Sequence, residues 1–173
     1  MVDNSWWIGL ITGGTAVVAS WVTGRGAARS ARVQAEVTAR AAHVAEARTR
    51  RRDAYREMSA AVHGLSEVFW RIEEADAAPE GEARAAVVAH LSAAARAALN
   101  DVTRASREVL LEGPTPVAEA AQTLRRAAIT ANRALDRLGT EGDERARYDA
   151  AYRDFREEHL RFLERARAAL DVG

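Results

Sequence analysis

Eighteen consecutive residues, WWIGLITGGTAVVASWVT from Trp6 to Thr23, carry no charged or amide side chain. A run of that length limits what the chain can fold into: it lies in lipid, or it fills the middle of a core. As a helix it measures about 27 Å, close to the roughly 30 Å hydrocarbon thickness of a bilayer. Trp6 and Trp7 stand at one end and Trp21 near the other, where aromatic side chains meet the headgroups. Asp3 precedes the run and Arg25 follows it. The sequence therefore predicts a short N-terminus and one transmembrane helix within residues 1–24, with Trp6, Trp7 and Trp21 as interfacial anchors.

The run is thinly hydrophobic. Ile8, Leu10, Ile11, Val17, Val18 and Val22 contribute about 2–4 kcal/mol together on an insertion scale. Its small residues are regularly placed. Gly9 and Gly13 form a GxxxG, and Thr12, Ala16, Ser20 and Gly24 recur at every fourth position. Lipid tails solvate large apolar side chains as well as a neighbouring helix does, so close backbone approach over small residues drives association. Gly9, Thr12, Gly13, Ala16, Ser20 and Gly24 are thus the expected packing surface of the span, and a homo-oligomer is expected. Two other readings compete. A cleavable signal peptide wants a basic start, and MVDNS offers only Asp3, although Val17-Val18-Ala19 resembles a cleavage site. A buried helix of a soluble core would use the same small residues for tight packing.

Orientation follows from the flanks. No arginine precedes the run, whereas Arg25, Arg29, Arg32 and Arg40 follow it, within the 15–20 or so residues over which basic side chains bias a span toward the cytoplasm. The expectation is a single-pass protein of the cell membrane, N-terminus out, with the bulk of the chain cytoplasmic.

Beyond the span the chain reads as all-α. Ala, Leu, Arg and Glu dominate, there are three prolines, and period-two alternation is missing. Pro79 with Gly81, then Gly113 with Pro114 and Pro116, then the GTEGD of 139–143 break the pattern three times. Gly113 and Gly139 suit positions just past a helix, Thr115 and Asp143 suit N-caps, and Pro116 suits a first turn. Four helices are expected at roughly 27–76, 80–112, 116–138 and 143–171. Each carries an apolar seam. The first runs Tyr55, Met58, Val62, Leu65, Phe69, Ile72; the second Val88, Leu91, Ala95, Leu99, Val102, Val109. The third runs Val117, Ala121, Leu124, Ala128, Ala131, Leu135, Leu138; the fourth Tyr148, Tyr152, Phe155, His159, Phe162, Ala166, Leu170. Seams of this width with short loops predict an antiparallel helical bundle over 53–173, about four helices with or without the preceding stalk.

Residues 25–52 differ. Eight arginines stand there against Glu36 and Glu46, a net charge of +6, whereas 53–173 hold 17 arginines against 22 acids, a net of −5. This predicts a long basic helical stalk, coiled-coil-like, between span and bundle. Arg25, Arg29 and Arg32 are placed for anionic lipid headgroups, worth about 1 kcal/mol per residue near the surface. Arg48, Arg50, Arg51 and Arg52 lie about 30–40 Å further along a straight helix, where an acidic cytoplasmic partner or plain solvation competes with lipid. Nucleic acid is a weaker reading, because no base-reading motif accompanies the charge.

The sequence offers no chemistry of its own. With no cysteine, thiolate nucleophiles, zinc knuckles and disulfides are excluded. None of His43, His63, His90 and His159 follows the Glu-x-x-His spacing of di-iron bundles, and HExxH is absent. His63 and Glu67 share a face as a solvated pair, and His159 is expected as a hydrogen-bonded core histidine. Phosphate loops and a GxSxG setting are missing. No catalytic residue, metal ligand or cofactor is expected.

The layout resembles a loose group of uncharacterised actinobacterial membrane proteins. In these a Gly-rich, N-out span leads to an Arg-rich helix with an RR-x-x-Y element, here Arg51, Arg52 and Tyr55, and a helical region with a Gly-Pro break follows, here Gly113-Pro114. The resemblance implies architecture and no activity or site. The leading expectation is a non-enzymatic, membrane-anchored interaction or scaffold protein that self-associates. The alternatives are a small membrane-active or pore-forming accessory protein working through the Gly-rich span, and a sensor input bundle of opposite topology.

Overall fold

The computed structural model describes residues 5–138 and 144–171, with side chains from residue 32 onward. Five helices follow one another: α1 (Ser5–Trp70), α2 (Ile72–Ala77), α3 (Glu82–Glu112), α4 (Thr115–Asp136) and α5 (Glu144–Asp171). No strand occurs among the described residues. The chain divides into two compact units, Met1–Glu46 and Ala47–Gly173.

In the first unit every described side chain, from Arg32 to Glu46, is exposed, the stripe of Val33, Val37 and Val44 included. The predicted span, residues 6–23, falls within the helical backbone of α1, but its side chains lie outside the described residues. Among the described residues no helix is long and apolar enough to cross a membrane.

The second unit is a four-helix bundle. Tyr55 of α1 meets Phe162 of α5 while Phe69 meets Tyr148, so the two helices run antiparallel. Arg50 reaches Glu112 and Glu57 reaches Arg104, which sets α1 antiparallel to α3. α3 packs on α4 across a short turn, and α4 packs on α5. The predicted seams are the core. Tyr55, Met58, Val62, Leu65 and Phe69 are buried on α1, with Val88, Leu91, Ala95, Val102 and Val109 on α3. Ala121, Ala128 and Ala131 of α4 are fully buried beside Leu124 and Leu135; such small residues let helix axes approach closely, so the large side chains of α1 and α5 fill the space between. Phe69 is the hub, with Tyr148, Tyr152 and Phe155 edge-on to its ring at centroid distances of 6.3, 5.9 and 5.5 Å, a geometry that aligns positive ring edges with negative faces.

Three local details differ from expectation. The first helix was expected to continue to residue 76, but it ends at Trp70. Arg71 N–H bonds the Val68 carbonyl and Glu74 N–H bonds that of Arg71, both three residues apart. This tight turn starts α2, which still buries Ile72 and Ala75. Gly113 is not left-handed: its φ is −88°. Glycine is required there because a Cβ would sit 2.7 Å from the Val109 carbonyl oxygen and 3.3 Å from the Tyr55 hydroxyl. α4 starts one residue early, with Pro114 as its N-cap and no side-chain cap. Gly139 and Asp143 lie outside the described residues.

Candidate functional site

The arginines at the end of the predicted stalk sort by what they touch. Arg48 is half-buried, and Arg50, Arg51 and Arg52 lie in the second unit with it. Arg51 donates from Nε to the backbone carbonyl of Glu112 at 2.9 Å, and Arg50 donates to the Glu112 carboxylate at 3.3 Å. Glu112 ends α3, whose last turn contains no basic residue. The negative end of a helix dipole disfavours carboxylates and favours cations. α1 supplies the two guanidinium groups that α3 lacks. Arg50 and Arg51 thus link α1 to the end of α3. On the same flank of α1, Glu57 pairs with Arg104 at 3.4 Å.

The opposite flank of α1 faces α5 and is different. A groove of about 540 Å³ opens there, with Arg52 and Arg56 on one wall and Leu163, Arg167 and Leu170 on the other. Asp171 is the one carboxylate in its lining. Arg52 and Arg167 have no carboxylate partner among the described residues. Arg56 lies 3.8 Å from Asp53, both highly exposed. Leu163 is 38% exposed, and Leu160, one turn earlier on α5, is 61% exposed. The floor is formed by Tyr55, whose ring packs edge-on against Phe162 at 6.2 Å. Burial pushes the Tyr55 phenol pKa above its ordinary value, an effect that Arg51 partly offsets, so the groove floor is neutral and its cations are the guanidinium groups.

His159 lies in the α5 seam, half-buried, and its Nε2 has no hydrogen-bond partner, unlike the satisfied core histidine expected from sequence. Burial, and then the neighbouring His63, lower its pKa below the ordinary histidine value. His63 and Glu67 form an exposed pair at 3.4 Å. Among the described residues no group of histidines and carboxylates could hold a metal ion.

Of the predicted contact residues, Trp6, Trp7, Gly9, Thr12, Gly13, Ala16, Ser20, Trp21, Gly24, Arg25 and Arg29 have side chains outside the described residues, and Arg32 is exposed. Sequence reading singled out Arg52 but missed Arg56, Leu163 and Arg167. The available signal was the row Leu160, Leu163, Leu170, which runs along the edge of the α5 seam. Comparison with protein families, with curated proteins and with solved structures finds no match to this chain.

Proposed function

We propose that this chain is a membrane-anchored, non-enzymatic interaction module, a helical bundle held at the cytoplasmic face by a single N-terminal span. One observation carries the reading: the run Trp6–Thr23 holds no charge, and arginines follow it while none precedes it. Several arginines on the C-terminal side give the orientation, and Arg25, Arg29 and Arg32 are suited to anionic headgroups at the exit. A bundle with an open, cationic groove suits binding to another macromolecule. Self-association through Gly9, Gly13 and the Thr12–Gly24 row belongs to the same proposal.

Membrane fractionation tests it. The full chain should resist alkaline carbonate extraction, and deletion of residues 1–24 should release the bundle in folded form. Complete extraction of the full chain by carbonate would refute the anchor. A second reading, a membrane-active or pore-forming protein, is favoured by the glycine content of the span alone. Vesicle leakage caused by residues 1–32 without the bundle would support it over the anchored module.

A further inference from the structure

We propose that the groove between α1 and α5 is a docking site for an acidic amphipathic helix of a partner protein. Apolar side chains of that helix would lie on Leu163 and Leu170, and its carboxylates would meet Arg52, Arg56 and Arg167. The inference rests on the reading of the bundle as an interaction module and supplies the chemistry of the partner.

Charge complementarity is the main argument. The compact unit 47–173 holds 21 arginines against 22 acids, a net charge of −1, so it offers an acidic ligand no general attraction. The groove concentrates positive charge locally, with Arg52, Arg56 and Arg167 against Asp171 in its lining and Asp53 3.8 Å from Arg56. This local excess is not leftover surface charge. On the α3 flank of α1, Arg50, Arg51 and Arg104 are engaged by Glu112 and Glu57. On the α5 flank, Arg52 and Arg167 stand on opposite walls without a carboxylate. A guanidinium fork binds carboxylates in bidentate fashion and sheds its water more readily than an ammonium does, so unpaired arginines around an apolar floor suit a carboxylate-bearing ligand.

Spacing argues for a helix as occupant. Arg52 and Arg56 are one turn apart on α1, about 6 Å. Leu163 and Leu170, the two leucines of the lining, lie about 10 Å apart along α5, a separation that matches ligand anchors at i and i+7. A helix laid between two antiparallel helices packs its apolar face on the leucines and leaves its flanks beside the arginine walls. Lipid headgroups would satisfy the arginines but leave uncovered Leu163 and Leu170, which share a wall with Arg167.

The test uses the full chain in detergent and a fluorescent three-turn synthetic peptide with leucines on one face and glutamates on both flanks. Saturable binding is expected. A scrambled peptide of the same composition, and the same peptide with glutamine for glutamate, should each bind about tenfold or more weakly. Exchanging Arg52→Glu together with Arg167→Glu should reduce affinity for the native-pattern peptide by a similar factor, while Arg147→Glu should not. Circular dichroism melts should show both variants folded, since neither Arg52 nor Arg167 makes a contact the bundle depends on. As a second handle, a photo-crosslinker at Leu163 should capture the peptide. Equal binding of the scrambled peptide would overturn the proposal. So would unchanged affinity in the groove variant, or a groove variant altered only in binding to phosphatidylserine vesicles or in self-association. Peptide binding that survives in the groove variant removes the groove and leaves the interaction module standing; carbonate extraction tests the anchor separately.

Discussion

Arg51 donates a 2.9 Å hydrogen bond to the carbonyl oxygen of Glu112, a residue 61 positions later in the chain. The bond places a cation at the end of a helix that finishes on Glu112 with no basic residue in its last turn, where the helix dipole is least compatible with carboxylates. A run of arginines that reads as one basic patch in the sequence is therefore divided by the fold. Arg50 and Arg51 close the bundle against α3, and Arg52 faces the groove beside α5.

This division predicts unequal costs. Arg51→Ala should lower the unfolding free energy by about 1–2 kcal/mol, the usual range for losing a hydrogen bond from a charged donor at a helix terminus. Arg52→Ala should stay within about 0.5 kcal/mol. Urea denaturation of both variants measures the difference, and equal losses would refute the division.

The Tyr148 hydroxyl donates a 2.8 Å hydrogen bond to the Phe69 carbonyl. Phe69 lies in the last turn of α1, where carbonyls lose their intrahelical partners. Tyr148→Phe leaves that buried acceptor without its partner and should cost about 1–3 kcal/mol while the core remains filled. Burial also pushes the Tyr148 phenol pKa well above its ordinary value. An unfolded tyrosine ionises near pH 10, whereas the folded one retains its proton. The stability from this group is full below about pH 10 and falls as pH rises beyond it. Alkaline melts should show a steeper decline for the native chain than for Tyr148→Phe; parallel declines would count against the assignment.

His159 acts at the other end of the pH scale. Its pKa lies below the usual value because burial, and then His63, disfavour the charged ring. The unfolded ring takes up its proton near pH 6.5, before the folded one does. The contribution is therefore complete above about pH 6.5 and is lost as pH falls through the folded pKa. His159→Gln should flatten the acid side of a urea-midpoint profile, and an unchanged slope between about pH 7 and about pH 5 would exclude this role.

The bundle was largely legible in the sequence, and the groove was not. The row Tyr55, Met58, Val62, Leu65, Phe69 announces its buried face because its 3–4 spacing repeats the helical period. Gly113 with Pro114 and Pro116 announces the α3–α4 turn. The turn at Arg71 has no such marker, since neither Gly nor Pro occurs there and the break depends on backbone bonds from Arg71 to Val68 and from Glu74 to Arg71. Gly113 stands just past α3 as its sequence context predicts, but one part of its need for glycine, the closeness of the Tyr55 hydroxyl from α1, is a tertiary fact. The pairing of Arg50 and Arg51 with Glu112, and the facing of Arg52 and Arg167, likewise join residues far apart in the chain. Local periodicity carries no information about which arginine meets which neighbour.

Self-association through the span makes its own prediction. Gly13→Ile in the isolated segment 1–32 should weaken dimers in a membrane two-hybrid or energy-transfer assay, because a branched side chain holds the helices apart. Val17→Ile should have little effect. Equal signals for the native and Gly13→Ile segments would reduce these glycines to ordinary span composition.

A topology reporter fused after Gly173 reads out both the proposed anchor and its orientation. A periplasm-active phosphatase at that position should remain silent while a cytoplasm-active fluorescent protein lights, both in the carbonate-resistant membrane fraction. An active phosphatase, or a fluorescent signal wholly in the soluble fraction, would contradict the account.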